Sequence, residues 1–224
     1  MGITASEGVT SQPIPSEKVR QSVIAGSWYP ADPEELSSMV DYFLGSIEPV
    51  DGDPIALIVP HAGYVYSGGV AAYGFKQMEG KDYEVAVIIA ADHQMPLSNP
   101  ISVWTEGGFE TPLGVVPVET NLANKLVAFD PLIKSDMVAH QGEHPIEIEL
   151  PFLQFMLQQP FQLIPLMIRT HAPNALQQLG SLLAQMAREK STLLVASTDL
   201  SHFNHASAAE KMDQRALDNI ASLN

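Results

Sequence analysis

Three histidines, His61, His93 and His202, each follow an apolar run that is typical of a buried β-strand. The runs cover residues 55–59, 84–90 and 192–197. Side chains just past the carboxyl ends of parallel strands gather in one crevice of an open α/β sheet, where ligands bind. Imidazole is the commonest metal ligand in proteins and is suited to proton transfer near neutral pH. The sequence therefore predicts a histidine-lined site at one edge of a sheet.

Asp199 stands three residues before His202, in the segment that follows the last of these runs. If that segment forms one helical turn, the carboxylate and the imidazole share a face and form an acid–base or ligand pair. The alternative is that Asp199 only caps the helix that follows it. Both residues are candidates for proton transfer, and His202 is also a candidate metal ligand.

A second cluster of titratable side chains contains Glu143, His144 and Glu147. At helical spacing the two glutamates lie on one face with His144 beside them, where they are candidates for orienting a ligand, shuttling a proton or capping a helix. The alternative is a solvated helix start. Arg169 follows an apolar run and is expected on the crevice side of the sheet, whereas His140 is expected on the surface.

The composition limits the classes of ligand and of compartment. The 224 residues include 11 Lys and Arg against 26 Asp and Glu, which gives a formal net charge of −15. This charge argues against nucleic acid and against an anionic membrane surface, since both need basic patches. No cysteine is present, so a metal must be held by nitrogen and oxygen ligands, which favours iron, manganese or zinc. No signal peptide or membrane span is recognisable, and we expect a cytoplasmic protein.

The order of the predicted elements indicates an α/β fold. Residues 1–17 are small and polar and are expected to form a flexible tail, followed by one domain over residues 18–224. Helical patterns alternate with strand-like runs, which is typical of βαβ units and a parallel sheet. Residues 100–118 contain short β-prone pieces and predict a hairpin-like insertion. We expect a single three-layer α/β/α domain with a mostly parallel or mixed central sheet and a small β-hairpin insertion.

The helix boundaries are predicted from capping residues and apolar spacing. Asp32 is expected to cap a helix that begins at Pro33. Gly68 and Gly69 precede a predicted helix over residues 70–78, where their backbone N–H groups would approach an anion. The alternative is an ordinary glycine-rich turn between a strand and a helix. Further helices are predicted over residues 121–129, 145–158, 173–190 and 206–223, and a further strand over residues 162–168.

Five segments of the chain together resemble the Memo family, known in bacteria and archaea as protein B of the AmmeMemoRadiSam system. They are Ala25-Gly-Ser-Trp28-Tyr29-Pro, Pro60-His61-Ala-Gly-Tyr64, His93-x-x-Pro96-Leu-Ser98, Glu143-His144-Pro-Ile-Glu147 and Ser197-Thr-Asp199-Leu-Ser-His202. They occur in order and cover nearly all of the chain after the tail. The resemblance implies a fold related to the LigB-type extradiol dioxygenases, in which two histidines and a carboxylate hold Fe(II) and another histidine acts as acid and base.

The resemblance itself carries over His61 and His93 as metal ligands, His202 to the same pocket and Trp28 to the pocket mouth. The other expected site residues come from the residue patterns above. The expected metal ligands are His61, His93 and His202. The expected catalytic residues are His202, Asp199, Glu143 and His144, and the expected substrate pocket contains Trp28, Tyr64 and Arg169. Fe(II) is the expected metal, with zinc or copper as alternatives, and no nucleotide cofactor is expected. Members of the family usually continue beyond the last helix with a cysteine near the metal and a closing strand, and this chain is expected to lack that region.

Three functions remain open from the sequence. The first is a metal-dependent, dioxygenase-like or redox enzyme. The second is a partner or scaffold, without catalysis of its own, for the radical-SAM and AMMECR1-like proteins of the same system; a homodimer is a further expectation. The third is a module that binds phosphotyrosine peptides through the same pocket, as described for animal relatives. A phosphate would need Arg169, the amides of Gly68 and Gly69, or protonated histidines.

Overall fold

The computed structural model describes residues 14–50, 52–93, 99–157 and 159–222. Within these ranges the strands are β1 (Val19–Arg20), β2 (Ala56–Val59), β3 (Val85–Ala91), β4 (Ile101–Val103), β5 (Gly108–Thr111), β6 (Gly114–Pro117), β7 (Ile133–Ser135), β8 (Gln162–Ile168) and β9 (Thr192–Ser197). The α-helices are α1 (Pro33–Leu44), α2 (Tyr64–Lys76), α3 (Thr120–Phe129), α4 (Leu150–Met156), α5 (Pro173–Glu189) and α6 (Ala206–Ser222). Short 3₁₀ helices cover Ser16–Lys18, Val138–His140 and Glu147–Glu149.

Strands from distant parts of the chain form a central six-stranded sheet in the order β2-β9-β3-β8-β4-β7. The strands β2, β9, β3 and β8 are parallel, β4 runs antiparallel to β8, and β7 is parallel to β4. The central strands β3 and β8 consist mainly of buried apolar residues, because both faces of these two strands are covered. The mixed sheet confirms the predicted α/β class.

Helices complete a three-layer α/β/α arrangement, as predicted. The helices α1, α2 and α4 pack on one another, and α2 contacts the edge strand β2. Elsewhere α5 contacts β9, and α3 contacts β7 and β8. Asp32 caps α1 as expected, because its carboxylate accepts hydrogen bonds from the backbone N–H groups of Glu34 and Glu35. Among the described residues, no helix has both the length and the apolar character needed to cross a membrane.

A second, smaller sheet has the order β1-β5-β6. The strands β5 and β6 form an antiparallel hairpin, which confirms the hairpin predicted within residues 100–118, although β4 from the same segment joins the central sheet. The strand β1 pairs in parallel with β5 and so fixes the N-terminal segment against the hairpin. Residues 1–13 of the predicted tail lie outside the described residues, and the 3₁₀ helix Ser16–Lys18 follows them.

The helix predicted over residues 70–78 instead begins at Tyr64 and ends at Lys76. Gly68 and Gly69 therefore lie inside α2. The prediction of an anion-binding loop and the alternative of a glycine-rich turn are both wrong. A Cβ atom at Gly68 would lie 2.6 Å from Cε2 of Phe43 on α1. Glycine at this position lets the two helices approach closely, and this packing outweighs the low intrinsic helix propensity of glycine.

The helical geometry predicted around the titratable clusters is also wrong. The chain from residue 198 to residue 205 is irregular between β9 and α6, so Asp199 and His202 do not share a helical face. His144 precedes Pro145, and a residue before proline avoids the helical conformation. Helical structure accordingly begins only at Glu147. Glu143 precedes that helix, so the two glutamates do not share a helical face.

Gly107 offers a test of how the small sheet holds the N-terminal segment. Its φ is +77°, and a Cβ atom there would overlap the backbone carbonyl of Lys18, next to β1. We expect Gly107→Ala to lower the free energy of unfolding by about 2–4 kcal/mol, because backbone strain and overpacking add. The measurement is urea denaturation followed by circular dichroism.

Gly180 provides a matched control for that substitution. It lies inside α5, and no atom approaches within 4 Å of an added Cβ. Gly180→Ala is therefore expected to raise the free energy of unfolding by about 0.5–1 kcal/mol through helix propensity. Equal effects of the two substitutions would contradict the close contact between Gly107 and Lys18.

Candidate metal centre

Three histidine rings meet at the carboxyl ends of the parallel strands. His61 lies two residues beyond β2, and His93 lies two residues beyond β3. His144 comes from the irregular segment before the 3₁₀ helix Glu147–Glu149. One ring nitrogen from each lies within 4.8 Å of the others, and the ring centroids are 5.0 to 5.4 Å apart. Three imidazoles at this spacing are a possible metal-binding triad.

His61 is held through both its backbone and its ring. Its backbone N–H donates to Oδ1 of Asp199 at 2.9 Å, and its Nδ1 lies 3.1 Å from Oγ of Ser197, the last residue of β9. Burial lowers the pKa of the His61 imidazole, and the neighbouring His93 lowers it further. The negative charge of Asp199 opposes this shift but does not cancel it. Because Nδ1 is engaged, Nε2 is the nitrogen left to bind a metal.

Glu143 orients His93 with both oxygens of its buried carboxylate. One oxygen accepts the backbone N–H of His93 at 2.7 Å, and the other lies 3.1 Å from Nδ1 of the ring. A carboxylate on Nδ1 fixes the ring and makes Nε2 a more basic ligand. Sequence reasoning made Glu143 a catalytic candidate; the structure places it behind His93.

His144 completes the triad and packs against an aromatic wall. Its ring centroid lies 4.3 Å from that of Trp28. Burial lowers its pKa to about 4, and the proximity of His61 and His93 contributes to this shift. The ring is therefore neutral near pH 7 and has a lone pair for a metal. From the sequence alone, His144 is expected among the catalytic residues and not among the metal ligands.

His202 lies at the wall of the site, outside the triad. Its Nε2 is 3.8 Å from Oδ2 of Asp199, and the same oxygen lies 3.9 Å from Nε2 of His61. The His202 side chain is 56% exposed, because the irregular chain after β9 carries it toward solvent. The carboxylate of Asp199 thus stands between the buried His61 and the exposed His202.

The triad opens into a cavity of about 460 Å³. Its walls combine the titratable residues with small and aromatic ones. The lining residues are Ser27, Trp28, His61, Ala62, Gly63, Val65, Tyr66, His93, His144, Asp199 and His202.

Two residues predicted for the substrate pocket lie elsewhere. Tyr64 is buried in the core, where its hydroxyl donates to the carbonyl of Ile148 at 2.8 Å, because this side of α2 faces α4. Its place at the cavity is taken by Tyr66. Arg169 pairs with Asp92 at 3.1 Å and is not among the lining residues.

A buried arginine that the sequence does not single out fixes the segment that carries His144. Arg20 is 3% exposed and donates to Oε2 of Glu147 at 2.6 Å. It also donates to the backbone carbonyls of Glu143 and, at 2.8 Å, His140. No local pattern marks this residue, because Glu147 and the carbonyls of His140 and Glu143 lie more than a hundred positions along the chain. It acts at a distance from the triad, through the backbone of the segment that carries His144.

The carboxylate of Glu147 accepts hydrogen bonds from other residues as well as from Arg20. Its carboxylate accepts the hydroxyls of Ser22 and Tyr29 and the backbone N–H of Val23. Burial opposes the ionisation of Glu147, but Arg20 and these hydrogen bonds outweigh it, so the pKa lies below its ordinary value. The pair ties the N-terminal segment to the residues around His144.

The surface position predicted for His140 is wrong. The residue is 1% exposed and packs with its ring against Trp104 and Phe109. Burial lowers its pKa to about 3, and the charge of Arg20 adds to this effect. Its carbonyl is one of the acceptors of Arg20, which draws this turn into the interior.

The fold and the triad define a class of protein: a three-layer α/β domain with a histidine cluster at the carboxyl ends of its parallel strands. Residues 20–224 match the Memo-like protein family, and the chain belongs to that family.

Proteins with the same family name resemble the chain over most of its length. A MEMO1 family protein of Methanopyrus kandleri is 32% identical over 215 residues, which cover 91% of this chain and 76% of that protein. One from Aquifex aeolicus is 34% identical over 208 residues, covering 92% and 76%. One from a Thermotoga species is 35% identical over 216 residues, covering 91% and 77%.

The Arg20–Glu147 pair offers a test of how the N-terminal segment is held. We expect Arg20→Met to lower the free energy of unfolding by about 3–5 kcal/mol near neutral pH, because it leaves a buried carboxylate unpaired. Because the pKa of Glu147 is lowered in the folded protein, its ionised carboxylate stabilises the wild-type protein at pH values above the ordinary pKa of 4.5. This contribution to stability is lost as the pH falls through the lowered pKa of the folded state. The difference between variant and wild type should therefore shrink on acidification, as measured by urea denaturation across pH.

Lys18 provides the control for the buried pair. It forms an ion pair with Glu106 near the same strand, but both side chains are more than 40% exposed. Lys18→Met should change the free energy of unfolding by less than about 1 kcal/mol. A loss in Arg20→Met as small as that in Lys18→Met would refute the anchoring role of Arg20.

Proposed function

We propose that this protein binds a divalent metal ion through His61, His93 and His144 and uses it in an oxidoreductase-type reaction on a small molecule held in the cavity. The observation that carries the proposal is the triad itself, in which one nitrogen from each ring lies within 4.8 Å of the other two. The three imidazoles come from separate parts of the chain and present nitrogen donors to one point, which is typical of a transition-metal site.

The donor set fits a transition metal. Imidazole suits iron, zinc, copper and nickel, whereas magnesium and calcium prefer oxygen ligands. The Nδ1 atoms of His61 and His93 are already engaged by Ser197 and Glu143, which leaves the Nε2 atoms for the metal. We favour Fe(II), the metal expected from the family resemblance, with zinc and copper as the competing assignments. Fe(II) held by the triad would supply redox chemistry and a Lewis-acidic positive charge.

The residues around the triad have separate proposed roles. Trp28 and Tyr66 form a wall against which a flat organic ligand packs. Asp199 and His202, whose facing atoms are 3.8 Å apart, are the groups proposed to accept and pass on a proton at the cavity mouth. Glu143 keeps His93 in place and does not contact the ligand.

A phosphate ligand fits this cavity less well. No lysine or arginine is among its described lining residues. Arg169 is paired with Asp92, and Gly68 and Gly69 lie inside α2, so neither supplies donors to the cavity. The low pKa of His144 also keeps that ring neutral. These placements favour metal binding over phosphopeptide binding. Association with radical-SAM and AMMECR1-like proteins, a homodimer and a cytoplasmic location remain predictions.

Metal content tests the proposal directly. Protein purified anaerobically should contain close to one equivalent of metal, measured by inductively coupled plasma mass spectrometry. His61→Ala, His93→Ala and His144→Ala should each lose at least about 90% of it, since each removes one of three ligands. His202→Ala should retain most of it, because that ring lies outside the triad.

His171→Ala is the control for general effects of removing a histidine, since His171 is exposed and follows β8 away from the cavity lining. Loss of metal in His202→Ala but not in His144→Ala would replace the proposed ligand set by the one expected from the sequence. Absence of metal in the wild-type protein, even after Fe(II) or Zn(II) is added, would refute the proposed function.

A further inference from the structure

The hydrogen bonds around Ser197 bear on the protonation state of Glu149, which is buried. The Oγ of Ser197 lies 2.7 Å from the carbonyl oxygen of Pro145, 2.7 Å from Oε1 of Glu149 and 3.1 Å from Nδ1 of His61. A serine hydroxyl has one proton and two lone pairs, and the carbonyl has no proton at all. The hydroxyl therefore donates to Pro145, and the other two neighbours must donate to it.

This assignment satisfies all three short contacts at once. Glu149 then carries a proton and donates it to Oγ, and His61 donates from Nδ1. An ionised Glu149 would instead compete with the Pro145 carbonyl for a single proton and leave one oxygen pair in repulsive contact. The same assignment leaves Nε2 of His61 unprotonated, which is the state a metal requires.

The surroundings of Glu149 also favour the neutral acid. The residue is 1% exposed, and its hydrogen-bond contact in the described ranges is with Ser197. Burial raises its pKa well above the ordinary value, and the Asp199 carboxylate adds to this shift; only a hydrogen bond donated by Ser197 to the ionised carboxylate would oppose it. The other titratable group that faces it is Tyr64 of α2, which is kept neutral by burial. No cation among these neighbours stabilises a negative charge.

We propose that Glu149 holds a proton in the metal-free protein and releases it when a divalent cation binds to the triad. This inference rests on the proposed metal site. The cation on Nε2 makes Nδ1–H of His61 a stronger donor and places positive charge on the His61–Ser197–Glu149 chain, where the low dielectric of the interior strengthens the effect.

The exchange is balanced in protons and charge. The O–H bond of the Glu149 carboxyl breaks, its proton passes to the buffer, and the Ser197 hydroxyl turns from Pro145 to the new carboxylate. The negative charge offsets part of the charge of the bound cation. Glu149 thus acts as a positioning residue, through Ser197, on the ligand strength of His61.

Isothermal titration calorimetry of Zn(II) into the metal-free protein tests this exchange. Titrations in buffers of different ionisation enthalpy give the number of protons released per metal. We expect the wild-type protein to release about one proton more than Glu149→Gln, whose amide also donates to Ser197 but has no proton to lose. We also expect zinc to bind about ten- to a hundredfold more weakly to the variant.

Glu119→Gln is the matched control, because Glu119 is a buried carboxyl that pairs with Lys190 and has a lowered pKa. It is already ionised near neutral pH, so its substitution should leave the proton count unchanged. Zinc binding with equal proton release in wild type and Glu149→Gln would overturn the role of Glu149 and leave the metal site intact. If neither Zn(II) nor Fe(II) binds to the wild-type protein, the proposed function fails and this inference fails with it.

A measurement on the wild-type protein alone covers the case in which Glu149→Gln does not fold. The infrared difference spectrum on addition of Zn(II) should lose intensity at the carbonyl stretch of a protonated carboxylic acid and gain carboxylate intensity. Binding of zinc without that change would also overturn the proposal.

Discussion

The buried ion pair of Arg20 and Glu147 is the constraint on which the site depends. Taking both charges out of water is unfavourable unless the remaining donors and acceptors are satisfied. Here the arginine also donates to two backbone carbonyls, and the carboxylate also accepts two hydroxyls and backbone N–H groups. The two residues are 127 positions apart, so the pair fixes the N-terminal segment and the segment of residues 143–149 against each other.

Residues 143–149 complete the candidate metal centre at the ends of the parallel strands. The strands alone deliver His61 and His93, from β2 and β3, which lie on either side of β9. Glu143 holds the second of these rings, and the segment adds the third imidazole, His144. Glu149 of the same segment contacts Ser197, which in turn contacts His61. One irregular segment therefore reaches each of the three rings, and its own position depends on Arg20.

Local sequence patterns were sufficient for most elements of the sheet. The runs at residues 162–168 and 192–197 are strands with the predicted bounds, because short apolar runs of that length favour a buried strand over a helix. The carboxylate cap at Asp32 marked the start of α1, since capping is a contact over two or three residues. The positions of His61 and His93 followed from the strand ends.

The sequence by itself determined the four parallel strands β2, β3, β8 and β9, where they end and that an imidazole follows three of them, because those features depend on local periodicity. Only the tertiary structure decided that His144 joins the triad and that His202 stays at the wall, since both outcomes depend on irregular segments. It also decided that Tyr64 lies in the core and Gly68 inside a helix, because the packing of α2 against its neighbours overrides local propensity. Arg20 carries no local signal, because the energy of a buried charge is set by partners that only the folded chain brings within reach.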